Sequence, residues 1–521
     1  MNLSQFFDHW GIAENPFRGE EARHDAVFAR MGFLGDEAGA PERATSSHSD
    51  FEKILGELTR PSTSIVFGEK GSGKTAIRMQ IADRVGAHNR ENPDAKILLI
   101  PYDDLNTFLD QLYERAIAGG KRKDPGEVLS KIRLVDHIDA VLSIGVGRVV
   151  NALLRDGRDP PPANLGEDML RRARRMSPSL KRDLLLLQAV YDQSDLRGER
   201  TGRLRRLLRL GAPVSNRLWV ALLALGWLAP AGLIAWWLLA PPGGEAAREG
   251  VLIGAGVGLL AYAMVVCKWF VWDRFVLGRL GARLHRQLRV LPRQGGAYRA
   301  ALRRIEPAHR NAGALPLTGS DEQRYAMLAR LRRVCREFGF VGMLVVIDRV
   351  DEPTLVSGDA ERMRSIVWPI LNNKFLQLEG LGLKMLLPVE LRHALFKESS
   401  SFFQEARLDK QNLVERLTWT GPMLYDLCNA RIAACMREGA SAVTLLDLFA
   451  EDVTRQDVVD ALEQMRQPRD AFKFVYRCLN EHCANVTADQ NEWRIPRLVL
   501  DSIKRQESDR VQQLARGIRP A

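Results

Sequence analysis

An α/β fold is predicted for this 521-residue chain. A parallel sheet flanked by helices is interrupted by a two-helix apolar hairpin and followed by a helical C-terminal region. Three observations predict it. A β-branched run, "STSIVF", meets a glycine-rich loop and then a helical pattern at residues 62–85. A second apolar run, "GMLVVIDRVDEP", ends in acid at residues 342–353. Between them lie two long stretches without charge.

In chain order, residues 1–60 form a leader. It lacks the basic start and long apolar core of a secretory leader, so none is expected. Residues 61–106 begin the sheet domain. Here "GEKGSGKT", residues 68–75, fits G-x-x-x-x-G-K-[ST]. About 0.02 such matches are expected by chance in a chain this long. The pattern suits a nucleoside triphosphate. Gly68, Gly71 and Gly73 let the backbone wrap close to phosphate oxygens, where a Cβ would obstruct it, and Ser72 belongs to the same loop. Lys74 reaches the β- and γ-phosphates, and the Thr75 hydroxyl holds Mg²⁺. A helix should follow, its N-terminus facing the phosphates. Ile77, Ile81 and Val85 then share one helical face. "AKILLIPYDDL", residues 95–105, reads as a second strand.

Residues 107–217 read as a helical insertion, with a Pro/Gly linker at "RDGRDPPPANLG". Within it "LLLL", residues 184–187, is too short to span a bilayer. Residues 218–272 form the hairpin. Its first arm, residues 218–240, has 23 residues and no charge. That is about 34 Å of helix against a hydrocarbon core of about 30 Å. The second arm has 18 uncharged residues, 250–267, extended by "KWFVW" to Trp272. Trp219, Trp236, Trp237, Trp269 and Trp272 lie near the ends, as interfacial aromatics do. Pro230 is expected to kink the first arm.

Residues 273–320 are basic, and 275–304 is expected to form an amphipathic stretch lying on the bilayer surface. Residues 321–400 complete the sheet domain. A helix at 321–339 leads into the strand that ends at Asp348. In open α/β sheets ligand sites lie at this carboxyl edge. Asp348 is therefore the candidate acid on Mg²⁺. Glu352 is the first candidate for polarising an attacking water, and Asp351 the second. "GLKMLLPVEL", residues 382–391, is a further strand, and residues 401–521 read as a helical lid.

The formal net charge is +11. Residues 196–217 carry seven arginines and one acid; residues 268–293 carry one lysine, six arginines and one acid. The remainder holds 61 basic and 62 acidic residues. The whole excess thus flanks the hairpin, which argues for anchoring on anionic lipid rather than direct nucleic-acid binding. Both outer flanks fall on the cytoplasmic side by the positive-inside rule. The expected location is the inner, cytoplasmic membrane, with both termini and the sheet domain in the cytoplasm. The six cysteines have no C-x-x-C spacing and read as reduced thiols.

The order of loop, apolar hairpin and acid-ended strand in one domain resembles the KAP family of P-loop NTPases. These are STAND-class ATPases with membrane helices inserted between the Walker A and Walker B elements. The likeness runs from about residue 51 onward and rests on "GEKGSGKT", the hairpin, "VVIDRVDE" and "LKMLLPVELRHAL". It departs from the D-D-L-D-R form of that family: Arg349 stands for the second acid and Glu352 for the arginine. The leader "WGIAENPF" is similar to the G-x-x-x-N-P-F that lines the adenine pocket of some AAA+ ATPases. "QPRDAFKFVYRCLNEH", residues 467–482, is similar to their lid motif, which implies Arg469 on the γ-phosphate. Glu390, at the end of the strand 382–391, stands where such families place a sensor residue. The resemblance implies ATP as nucleotide, hydrolysis that is slow or trigger-dependent, and a membrane-anchored switch. It implies a second copy or a partner protein of the same system. Bacterial relatives are associated with phage exclusion and other conflict systems. A motor or assembly factor of a membrane complex is the main alternative. A membrane-tethered nucleic-acid-binding NTPase is another, and a transporter is the weakest, because the spans hold no charge.

Overall fold

The computed structural model describes residues 1–18, 22–31, 47–118, 120, 123–193, 195–211, 214–239, 244–311, 315–487 and 490–515. The chain divides into two compact units, Met1–Leu105 with Gly342–Ala521, and Asn106–Val341.

The first unit is built on a sheet of five strands, all parallel: β1 (Ser64–Gly68), β2 (Lys96–Tyr102), β3 (Phe340–Ile347), β4 (Leu381–Pro388) and β5 (Asn412–Val414). Their order is β2-β3-β4-β1-β5. The α/β class with a helix-flanked parallel sheet is therefore as expected. Strands covered on both faces read as continuous apolar runs, and every residue of β1 and β4 is buried. β5 is not foreseen, because three residues carry no usable periodicity. Pairing of Gly68 with Pro388 and of Ile347 with Met385 lines up the carboxyl ends of β1, β3 and β4 on one edge. The helix Lys74–Glu91 lays Ile77, Ile81 and Val85 on a core shared with Val66, Leu344, Val346, Leu386 and Val414.

One residue breaks the apolar run of β4. Lys384 is fully buried, and its Nζ donates to the Ser62 carbonyl (2.8 Å) and to Ser64 Oγ (3.1 Å). Burial brings its pKa down to about 7 from the ordinary 10.5. A neutral amine still donates both bonds. Between those two values the unfolded chain binds the extra proton, so stability rises with pH there and is lost as pH falls through 7. The slope is at most about 1.4 kcal/mol per pH unit. Denaturation midpoints at neutral and alkaline pH should differ in the wild type and converge in Lys384→Met. An equal difference in both proteins would show that the lysine stays charged in the fold.

The leader packs on the C-terminal helices of the same unit. Phe6, Phe7, Ile12, Phe17, Val27 and Phe28 share a core with Leu424, Leu462, Phe474 and Leu500. Arg431 joins the two: Nε donates to the Pro16 carbonyl and Nη1 to Asp25, each at 2.6 Å. Leader residues 19–21 and 32–46 lie outside the described residues.

The second unit is helical. Helices Leu134–Leu154, Pro178–Tyr191 and Asp321–Arg336 pack together around buried polar pairs. Arg324 meets Asp139 at 3.3 Å, and Tyr191 Oη donates to Asp139 at 3.0 Å. Part of each basic block is used inside the fold. Arg200 is buried on Asp192 (2.9 Å) and Asp156 (2.5 Å). Arg289 pairs with Asp136, and Arg293 is buried with its guanidinium 4.7 Å from the Tyr298 ring. Within 275–304 the basic stretch folds as two helices. The helix Asp273–Gln287 turns into the helix Gly295–Leu302, which packs against it. The close approach needs Gly281, where a Cβ would stand 2.7 Å from the Gly295 carbonyl oxygen.

Among the described residues three helices are long and apolar enough to cross a membrane. Leu134–Leu154, which sequence reasoning did not single out, has 83% of its apolar 18-residue stretch buried within the fold, whereas the apolar 18-residue stretches of Leu218–Leu239 and Glu249–Gln287 are each 6% buried. The first hairpin arm breaks at Gly226–Trp227, between helices Val214–Leu225 and Leu228–Leu239. Pro230 explains the place. Its ring crowds the carbonyl four residues earlier, that of Gly226. The carbonyls freed by the break find donors within the hairpin: Tyr262 Oη reaches Leu223 O (3.0 Å), and Trp227 Nε1 reaches Ala224 O (2.9 Å). Connecting residues 240–243 lie outside the described residues. Tyr262→Phe should destabilise the helix pair by about 1 kcal/mol, read by denaturation in detergent micelles. Unchanged stability would mean that Leu223 O needs no partner there.

Candidate functional site

The carboxyl ends of β1 and β3 bring the loop and the acids together. Gly71 and Gly73 both adopt left-handed backbone (φ 95° and 91°), which turns the chain from β1 into the helix Lys74–Glu91. A side chain at Gly71 would also meet Arg469 Cβ and Gln467 Oε1, each at 3.0 Å. Lys74 Nζ donates to the carbonyls of Gly68 (2.7 Å) and Glu69 (2.9 Å). Burial pulls its pKa down, against the carboxylates of Asp351, Asp348, Glu390 and Glu69. Thr75 Oγ1 donates to Asp348 Oδ2 at 3.1 Å. Asp348 is almost fully buried, and burial pushes its carboxyl up against the opposing effects of Arg78, Thr75 and Lys74.

Residues that sequence reasoning missed hold this arrangement. Arg78 bridges Asp103 at the end of β2 (2.8 Å) and approaches Asp348 (3.7 Å). The segment after β5 straps the loop: Leu417 N donates to Phe67 O (2.7 Å) and Trp419 Nε1 to Ser72 O (2.8 Å). Glu69 takes an ion pair from Arg416 and a hydrogen bond from Gln467. None of these contacts has a local sequence signature. Apart from Arg78 and Asp103, their partners lie hundreds of residues apart.

Arg349 follows Asp348 with φ 61°, a left-handed conformation that non-glycine residues seldom adopt. Its guanidinium pairs with Glu352 at 3.0 Å. The two acids following Asp348 therefore differ. Asp351 is the carboxylate that acts most strongly on Lys74, while the half-exposed Glu352 is held by Arg349. Glu390 opens the helix Val389–Phe396 after β4, and its charge also reaches Lys74.

One cavity of about 470 Å³ joins these groups. Gly71, Gly73, Lys74, Thr75, Asp348, Asp351, Glu352 and Arg469 line one end. Phe28, His48, Leu427, Phe472, Gln80 and Arg431 line the rest. Arg469 stands in the first turn of the helix Pro468–Asn485. Gln80 Oε1 and Arg431 Nη2 are buried without a hydrogen-bond partner. Such atoms ask for an explanation in a folded protein, and a ligand is one.

Among the described residues no group of three or more His, Cys, Asp or Glu side chains could hold a metal. The pair Thr75 and Asp348 offers a different donor set, one hydroxyl and one carboxylate oxygen 3.1 Å apart. It fits Mg²⁺, a hard cation that takes few protein oxygens and completes its shell with water and phosphate. Compared with protein-family models, with curated proteins and with solved structures, the chain matches none.

Proposed function

We propose that this chain is a membrane-anchored P-loop ATPase whose nucleotide site works as a switch. The observation that carries the reading is the shared cavity: the glycine-rich loop, Lys74, Thr75, Asp348 and two further acids open into a pocket with an apolar end. A nucleoside triphosphate has the same two-ended chemistry. The phosphates suit the loop and Lys74, and the base suits the rings of Phe28 and Phe472.

Bound to the triphosphate, Mg²⁺ would supply charge neutralisation at the β- and γ-oxygens. Thr75 and Asp348 would hold it. The chain's own residues do the rest. The loop orients the phosphates and Lys74 draws their charge. Glu352 or Asp351 takes a proton from the attacking water. Arg469, beside Gly71 and on the C-terminal helical region, supports a switch, because a γ-phosphate touching both loop and lid favours one arrangement of the two. The hairpin anchors the chain in a bilayer. Support comes from the nearly bare apolar faces of both arms and from a kink that caps its own carbonyls, as a hydrocarbon environment demands. The C-terminal helices act as the lid. A second copy or a protein of the same system completes the reading, and anti-phage defence is its proposed setting.

The test is nucleotide binding and hydrolysis by detergent-purified full-length protein, with membrane association measured by alkaline carbonate extraction. Tight Mg²⁺-dependent ATP binding with slow turnover is expected from the membrane pellet. Steady rapid turnover would favour the motor alternative, and no nucleotide binding would overturn the ATPase reading.

A further inference from the structure

The second apolar arm does not end where its uncharged stretch ends. Glu249–Gln287 continues as one helix of 39 residues, which at 1.5 Å per residue is about 58 Å. A hydrocarbon core takes about twenty residues, so roughly half of the helix reaches beyond it. Lys268 marks the change. Its ammonium sits 3.6 Å from the centre of the Trp219 ring, at the start of the other arm.

Past Lys268 the helix carries a stripe that no partner covers. Trp272, Phe275, Arg279, Arg283 and Arg286 follow at i, i+3, i+7, i+11 and i+14, one helical face. Contacts between neighbours bear this out: the rings of Trp272 and Phe275 lie 6.4 Å apart, and the Arg279 guanidinium lies 5.6 Å from the Phe275 ring. Trp272 is 61% exposed and Phe275 55%. The opposite face, Leu277, Gly281 and Leu284, is buried in the second unit. Arg274 is exposed as well, but five residues before Arg279 it lies about 140° round the helix from the stripe. Among the described residues none of these four arginines forms an ion pair, unlike Arg200, Arg289 and Arg293, which are used inside the fold.

We infer that this aromatic–arginine stripe binds the headgroups of anionic phospholipids. The inference rests on the membrane-anchored reading above. Aromatic rings belong at the interface, and guanidinium groups grip phosphate through paired hydrogen bonds. The stripe continues directly from the apolar arm, so a lipid surface is the anion it meets first. The geometry also grades the contribution of each arginine. Arg279 is the stripe's arginine nearest the apolar arm, within reach of headgroups when the helix tilts toward the bilayer. Arg283 and Arg286 lie about 6 and 10 Å further along the axis than Arg279, and a charge fades within a screening length of about 8 Å.

Full-length protein reconstituted in phosphatidylcholine bilayers with one-fifth phosphatidylglycerol, then re-extracted, reports the lipids that stay bound. Enrichment of phosphatidylglycerol over the bulk ratio is expected. Arg279→Gln should lower its affinity by about fivefold. Arg283→Gln with Arg286→Gln should keep most of it. No enrichment in the wild type, or a loss in the Arg283→Gln, Arg286→Gln variant as large as that in Arg279→Gln, would overturn the stripe. So would binding of a short single-stranded DNA that depends on Arg283 and Arg286 without lipid enrichment. Release of the wild-type protein by alkaline carbonate would instead sink the membrane-anchored reading itself.

Discussion

Lys74→Ala is expected to weaken ATP binding by about 100-fold or more, close to 3 kcal/mol. The site explains the size. Lys74 is surrounded by the charges of Asp351, Asp348, Glu390 and Glu69. Without its ammonium, a polyphosphate would enter a pocket whose nearest charges repel it, and the carbonyls of Gly68 and Glu69 would lose their donor. Titration calorimetry on the variant and the wild type measures the change, with circular dichroism as the check on folding. A folded variant that binds ATP as tightly as the wild type would show that the phosphates do not lie in this loop.

Glu352→Gln should retain nucleotide affinity while turnover falls by about 100-fold, the lower range for removing a general base. The structure makes the comparison with Asp351→Asn equally informative. Glu352 is paired with Arg349 at 3.0 Å, whereas Asp351 acts most strongly on Lys74. Single-turnover hydrolysis separates the two. Loss in Glu352→Gln assigns water activation to Glu352 and makes Arg349 its positioning residue. A normal rate there, with loss in Asp351→Asn, moves the role to Asp351.

How much of this was legible before the structure depends on how local each signal is. The turn from β1 into its helix is written in eight consecutive residues, because phosphate-loop geometry needs glycine at particular positions and a helix start just after. β3 and Asp348 were legible for a similar reason: a strand buried on both faces is an unbroken apolar run that stops abruptly at acid. β5 was hidden by its length of three residues. The strap through Trp419 and the Arg431 bridge to Asp25 were hidden by sequence distance, the latter joining residues 406 positions apart.

Composition alone marked the chain as rich in apolar helix and placed its charge excess around the hairpin. It could not say which apolar helix is covered by protein. Leu134–Leu154 is long and apolar, yet it carries Asp136, Asp139 and Asn151 to partners at Arg289, Arg324 and Arg200. Those pairs make it the core of a helical unit, since a buried charge needs a nearby opposite one. The apolar stretches of the two hairpin arms stay bare. The sequence by itself determined the parallel α/β class, the glycine-rich loop, the acid at the end of β3 and the two uncharged arms, because each follows from residues adjacent in the chain. Only the tertiary structure decided which arginines lie inside and which remain on the surface, and how loop, acids and leader line one cavity. Those outcomes depend on contacts between distant segments, which local spacing does not encode.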